Sequence, residues 1–149
     1  MCYKVVVLLI YFNARKINNI TNKIYGIMYV VRDDNMKHEM KLNNGPYTKI
    51  KNGTKTIELR LNDEKRQLLK LKDLIEFTNR ETLEKMLVEI QNLYHYPSFE
   101  ELYKHFDKIS MGYEENDIAD SKDMEEYYSK EEQEKYGVLG IEIKKLKWS

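Results

Sequence analysis

Cysteine is almost absent from this chain, since Cys2 is the only one among its 149 residues. No intrachain disulfide can form, and a thiolate zinc site has too few ligands. The three histidines, His38, His95 and His105, are far apart and do not have the spacing of metal ligands. We therefore expect no metal, no organic cofactor and a reducing, cytoplasmic location.

Long hydrophobic runs are also missing. The apolar run near the start covers residues 5–12, and these eight residues are far fewer than the roughly 20 needed to span a bilayer. A secretory signal is disfavoured because no small-x-small cleavage site follows the run. We expect no membrane association.

Net charge is absent from the chain as a whole, because 25 basic residues balance 25 acidic ones. The molecule thus lacks the strong positive field of a nonspecific nucleic-acid binder. The charges are nevertheless segregated: residues 36–80 carry 11 Lys and Arg against 6 Asp and Glu, and residues 81–136 carry 6 against 16. This pattern predicts one basic and one acidic surface, although runs of charge can also be plain solvated helix faces.

The first 35 residues show neither helix caps nor sustained periodicity. We interpret residues 1–35 as a poorly patterned extension and hypothesise an over-extended reading frame, with Met36 or Met40 as the natural start. The remaining residues, 36–149, are of the right length and hydrophobicity for one domain with one core.

Clear patterning begins at residues 40–42, which predict a short strand. Pro46 at a first helical position and Gly53 at a left-handed cap position predict a helix over 46–52 that buries Tyr47 and Ile50. Residues 56–61 then alternate. This alternation predicts a strand with one apolar and one polar face. The apolar face would carry Ile57, Leu59 and Leu61, and the polar face Thr56, Glu58 and Arg60.

Two further strands, 73–78 and 87–93, read as a hairpin. Ser98 caps a predicted helix, and a second helix is predicted from Ser121 to just before Gly137, with Met124, Tyr127 and Tyr128 on its apolar side. Residues 138–143 form a last, buried strand. This order of elements favours an α+β fold, with a small barrel of mixed or antiparallel strands and two to three flanking helices.

Two segments carry a resemblance to a known family. The first is a Gly-x-Lys-Thr-x-Glu-x-Arg signature formed by Gly53, Lys55, Thr56, Glu58 and Arg60, and the second runs over residues 127–141. Together, around the predicted hairpin, they resemble the ASCH domain of the PUA-like superfamily over residues 40–146. The resemblance implies a PUA-like β-barrel with a cleft beside it, used for RNA, nucleotides or nucleosides. The implied ligand-binding residues are Lys55, Thr56, Glu58 and Arg60.

One branch of the family resembles amidohydrolases that deacetylate N4-acetylcytidine with a Lys, a Thr and a Glu. Its Lys matches Lys55, but Glu58 fills the Thr position, and its Glu falls in a divergent loop near Ile109. If this chain is an enzyme acting on an N4-acylated cytidine-type nucleoside, we expect Lys55 and Glu58 to be catalytic. Lys55 would then act as a base or nucleophile at a lowered pKa, or stabilise an oxyanion while the carboxylate activates water.

Each signature residue also has a plainer interpretation. Arg60 can grip a phosphate or stack on a base, or it can pair with Glu58. Lys55 can be an exposed lysine beside a turn. Glu58 either pairs with cations or accepts a hydrogen bond from a ligand. A binding domain is thus the leading interpretation, and catalysis is the alternative.

Tyrosines supply candidate stacking faces for a base, although core roles are the plainer interpretation. The candidates are Tyr94, Tyr96, Tyr127, Tyr128 and Tyr136. The acidic residues of the predicted 121–136 helix are expected to form a solvated face. A third function class follows from that face, namely a protein-interaction module that binds a protein partner through the acidic helix.

Overall fold

The computed structural model describes residues 5–7, 30–32 and 35–147. The chain divides into two units, Met1–Asp34 and Asn35–Ser149. In the first unit, strands β1 (Val5–Val7) and β2 (Val30–Arg32) pair antiparallel. The remainder of the predicted extension, and the hypothesis about its reading frame, lie outside the described residues.

The second unit is built on a five-stranded mixed sheet that curls into a half-barrel, which confirms the predicted fold class. Its strands lie in the order β3-β5-β6-β7-β4, in which β3 and β5 are parallel and all other neighbours antiparallel. The strands are β3 (Lys37–Leu42), β4 (Ile57–Leu61), β5 (Leu74–Asn79), β6 (Lys85–Tyr96) and β7 (Val138–Lys145). The predicted hairpin is the β5-β6 pair.

Four α-helices flank this sheet, and two of them have five residues or fewer. They are α1 (Asn44–Lys51), α2 (Phe99–Tyr103), α3 (Lys108–Met111) and α4 (Lys130–Tyr136). Short 3₁₀ turns cover Arg66–Leu68 and Ser121–Glu126. As predicted, α1 buries Tyr47 and Ile50, and Gly53 follows it with a φ of +87°.

The prediction of one helix from Ser121 to Gly137 was wrong. A 3₁₀ turn ends at Glu126, and Ser129 starts α4 with a capping box in which its hydroxyl accepts from the Glu132 amide and the Glu132 carboxylate accepts from the Ser129 amide. The new start breaks the helix. Tyr127 falls in the break and is 60% exposed, so it does not lie on a buried apolar face.

Two hydrophobic clusters fill the unit. One joins α1 to β3, β5, β6 and β7, and includes Tyr47 and Phe77. The other packs α2 and α3 against β4 and contains Ile57, Leu59 and Leu61, which confirms the predicted apolar face. The second cluster holds β4 in place, and β4 carries the signature residues.

The two edge strands of the half-barrel, β3 and β4, are linked by a side chain. Nη2 of Arg60 on β4 donates to the backbone carbonyl of Lys41 on β3 at 3.1 Å. Arg60 therefore spans the gap between the first and last strands of the sheet.

Candidate ligand-binding cavity

A cavity of about 290 Å³ lies beside β4. Its wall is formed by β4, by the junction of β3 and α1, by the end of α3 and by the 3₁₀ turn with the tyrosines that follow it. Segments far apart in sequence thus meet around one space, and the signature supplies part of the wall.

Lys55 is held at this wall just before β4. After α1 ends, the chain folds back so that the Lys55 amide donates to the Lys49 carbonyl at 3.1 Å. Its Nζ donates to the carbonyls of Ile57 and Met111, both at 2.8 Å, and lies 3.4 Å from Oε2 of Glu58. Lys55 is 6% exposed, and burial lowers its pKa although Glu58 acts in the opposite direction.

Glu58 is buried, at 4% exposed, between two cations. Besides Lys55, it contacts Arg60, whose Nε lies 2.9 Å from Oε1 in an ion pair that lacks hydrogen-bond geometry. Burial lowers the pKa of Arg60, but the charge of Glu58 and the Tyr128 hydroxyl outweigh this effect and raise it. The prediction that Glu58 lies on a polar face of β4 needs correction, because the internal ion pairs allow this carboxylate to be buried.

Three of the four predicted ligand-binding residues, Lys55, Glu58 and Arg60, therefore meet at one wall. Two cations and one carboxylate leave this wall with one excess positive charge. Thr56 is different: its side chain is exposed, and it is not among the described residues that line the cavity. Its backbone instead joins α3 to β7, with the amide donating to the Ser110 carbonyl at 2.9 Å.

The rest of the wall is rich in tyrosine. The Tyr103 and Tyr113 hydroxyls are 3.0 Å apart, and the Tyr113 hydroxyl donates to Oδ2 of Asp123 at 2.8 Å. Burial, followed by the bonds to Tyr103 and Asp123, raises the pKa of Tyr113, which keeps it protonated as a donor. Tyr127 and Tyr128 also line the cavity, and Tyr128 stacks on Phe99 at 5.8 Å.

The other candidate tyrosines have structural partners. Tyr94 packs edge-on against Phe106 at 5.1 Å and donates to the Glu142 carboxylate at 2.8 Å. Tyr96 stacks on His105 at 4.9 Å, and Tyr136 packs with the second cluster. Among the described residues, none of the three lines the cavity, which favours the core interpretation for them.

Sequence reasoning missed Tyr103, Tyr113 and Asp123. Nothing in the spacing of the sequence indicates that residues 103–123 return to β4. It also missed Lys41 and Arg80, which line the cavity from β3 and from the residue after β5.

The divergent loop near Ile109 forms α3 and covers Lys55. The carbonyls of Met111 and Gly112 accept from the Nζ atoms of Lys55 and Lys49, at 2.8 and 2.6 Å. Gly112 has a φ of +108°, and a Cβ there would lie 3.0 Å from Cδ of Lys55. The loop contributes main-chain acceptors at this point, and the cavity's second carboxylate comes from Asp123.

Within residues 35–147 and the two short strands described before them, no cluster of His, Cys, Asp and Glu is arranged to hold a metal ion. None of the described helices is long and apolar enough to cross a membrane.

The five-stranded half-barrel with its flanking helices is the fold of a PUA-like domain. The family model of the ASCH domain matches residues 40–147, and the chain belongs to this family. ASCH is a PUA-like family thought to bind RNA. No curated protein matches the chain significantly.

Several solved structures resemble this chain in fold. Hypothetical protein PH0355 is 31% identical with a TM-score of 0.64, covering 74% of this chain and 100% of its own. Protein PF0455 from Pyrococcus furiosus is 30% identical with a TM-score of 0.56, and the match covers 75% of this chain and 99% of that protein. An ASCH protein from Zymomonas mobilis has a TM-score of 0.53 at 12% identity, covering 72% and 66%, and it shares the fold alone.

Proposed function

We propose that this ASCH domain binds RNA or a nucleotide in the cavity beside β4, with one base placed against the tyrosines. The observation that carries the proposal is that the charged wall of Lys55, Glu58 and Arg60 and the tyrosine wall enclose the same space. A volume of about 290 Å³ is at the small end for ligand pockets, which favours one nucleoside-sized group.

Different residues have different roles in this proposal. Lys55 and Arg60 are largely engaged by internal partners, so they provide a fixed positive wall with no freely moving donors. Tyr127, 60% exposed at the cavity, offers its ring for stacking. Asp123 offers an acceptor to an exocyclic amine on the base edge. Thr56 has no part in this arrangement.

The test is a fluorescence anisotropy titration of labelled single-stranded RNA with the wild type and with Tyr127→Ala. Because Tyr127 is exposed, its loss should leave the fold intact, and losing one stacked base should cost about 1–3 kcal/mol of binding free energy. Ile118→Ala is the matched control, since Ile118 is 90% exposed and does not line the cavity. Equal affinity of wild type and Tyr127→Ala would contradict the proposal.

A second candidate is hydrolysis of an N4-acylated cytidine-type nucleoside. The favouring observation is a buried lysine of lowered pKa, Lys55, next to the Glu58 carboxylate on the wall of a nucleoside-sized cavity. Such a lysine can stabilise a developing oxyanion while a carboxylate activates water.

The hydrolase test is incubation of N4-acetylcytidine with the protein at high concentration. Turnover that collapses in Lys55→Ala and Glu58→Gln, with circular dichroism showing both variants folded, would support catalysis. Absence of turnover by the wild type would remove this candidate.

A further inference from the structure

A second cavity, of about 590 Å³, lies beside β3, which is an edge strand of the described sheet, and we call it the basic groove. All of its lining residues lie between residues 37 and 80, within the basic segment of the sequence. Glu39 is the one carboxylate among them. Six are basic: Lys37, Lys41, Arg60, Lys65, Arg66 and Arg80.

Half of these cations are already neutralised within the protein. Lys37 pairs with Glu76 at 3.2 Å, Arg66 with Asp63 at 2.9 Å, and Arg60 with Glu58 at 2.9 Å. The other half, Lys41, Lys65 and Arg80, are exposed and make no side-chain hydrogen bond or ion pair with any described residue. These three charges are available to an external anion.

The basic groove adjoins the cavity described above. Lys41, Arg60 and Arg80 line both spaces. Since Arg60 crosses from β4 to the Lys41 carbonyl, the junction lies where the two edges of the half-barrel meet. A chain with one group in the cavity can thus continue past Arg80 and Lys41 into the groove.

We propose that the basic groove holds the sugar-phosphate backbone of single-stranded RNA, with phosphates bound by Lys41, Lys65 and Arg80. The proposal rests on the proposed function, and it narrows the ligand from a nucleoside to an oligonucleotide. Exposed cations without partners lose no internal ion pair when they bind phosphate, and each contact releases counterions. A single strand is required because a base must leave its stack to enter the cavity.

The experiment compares labelled uridylate and cytidylate RNAs of one, four and eight nucleotides, titrated against the full chain at several salt concentrations. The wild type should bind more tightly as length increases. In the triple variant Lys41→Gln, Lys65→Gln, Arg80→Gln, the eight-nucleotide RNA should bind about tenfold more weakly or worse, and its salt slope should shrink by about 2, or about 0.7 per lost phosphate. Of the three residues, Lys65 alone lines the groove and not the cavity, so Lys65→Gln by itself should leave binding of the single nucleotide unchanged while reducing the salt slope of the eight-nucleotide RNA by about 0.7.

Lys144→Gln is the matched control, because Lys144 is exposed on β7 and lines neither cavity. A length-dependent gain that persists in the triple variant, or single-nucleotide binding with no gain from length, would overturn the groove proposal while leaving the cavity's function intact. Failure of every RNA, including the single nucleotide, would overturn both.

Discussion

At the scale of single residues, the site depends on one buried carboxylate, Glu58, which is shared by a buried lysine and a partly buried arginine. Glu58 forms ion pairs with both Lys55 and Arg60. Each of these cations also donates a hydrogen bond to a backbone carbonyl. Removing one partner of a buried ion pair is costly because the remaining charge has no water to solvate it. The signature is therefore a structural unit as well as a cavity wall.

We predict that Glu58→Gln lowers the free energy of unfolding by about 3–5 kcal/mol, because it leaves two cations without their counterion. Urea denaturation followed by circular dichroism measures this. The control is Glu76→Gln, which removes a carboxylate from the more exposed pairs with Lys37 and Lys85 and should cost much less stability than Glu58→Gln. Similar losses in the two variants would contradict the account.

Gly112 provides a second prediction. Gly112→Ala places a Cβ 3.0 Å from Lys55 Cδ at a φ of +108°, where L-residues are strained. Lys55 cannot easily move because its Nζ is bound to two carbonyls, so the substitution should destabilise the protein by about 1–3 kcal/mol.

Gly53→Ala is the control for that change. Gly53 also has a positive φ, of +87°, but nothing lies within 4 Å of an added Cβ, so alanine there reports the backbone strain alone and should cost less stability than Gly112→Ala. Thermal unfolding of the two variants side by side decides the matter. If Gly112→Ala left the stability unchanged, a Cβ at position 112 would not clash with Lys55.

At the scale of elements, the start of β3 is attached to the sheet through Asp73, which is 1% exposed. Its Oδ1 accepts from the Met36 amide at 2.9 Å, and its Oδ2 lies 2.7 Å from Nε2 of His38 and accepts from the Lys70 amide at 3.1 Å. The segment just before residue 40 thus belongs to the folded unit.

We predict that His38→Ala lowers the free energy of unfolding by about 1–3 kcal/mol, because Asp73 loses a hydrogen-bond partner in a buried position. A chain starting at Met40 should lose more, since it also lacks Met36 and half of β3, whereas a chain starting at Met36 keeps these contacts. Chemical denaturation of the variants measures both effects, with His95→Ala, at an exposed position, as control. If chains starting at Met36 and Met40 were equally stable, β3 would be dispensable.

Local patterns predicted the elements whose outcome depends on nearby residues. Alternation predicted β4 and the β5-β6 hairpin. Pro46 and Gly53 located α1, although the helix begins two residues before Pro46. What could not be predicted depends on distant partners. The burial of Glu58 depends on its two ion pairs and on α3, which packs over Lys55. The end of the predicted helix before Ser129 depends on whether a capping box at Ser129 outweighs the continued helical periodicity. The contribution of Tyr113 and Asp123 to the cavity follows from the path of a loop without regular periodicity.

At the scale of the whole molecule, the net charge is zero, but positive charge is concentrated in the basic groove. The six cations of the basic groove come from residues 36–80, whereas no acidic side chain of residues 81–136 lines it. Of those acidic residues, Glu84, Glu101 and Glu114 pair with lysines. RNA affinity should accordingly be moderate and salt-sensitive, because the excess charge is confined to one groove.

We predict that raising the salt concentration weakens binding of an eight-nucleotide RNA along a straight line of log K against log salt. Three phosphate contacts give a slope of about −2. Anisotropy titrations at four salt concentrations measure this slope, and a salt-independent affinity would show that phosphates contribute nothing.

The most direct measurement is an NMR titration of the isotopically labelled full chain with a short single-stranded RNA, which reports where the ligand binds. Our account predicts amide shifts concentrated at the cavity and the basic groove, with Lys41, Arg60, Arg80, Gly112 and Tyr127 among the most affected. Shifts confined to the glutamate-rich segment 125–134, or no shifts at all, would contradict it, and the former would favour a protein-interaction surface there.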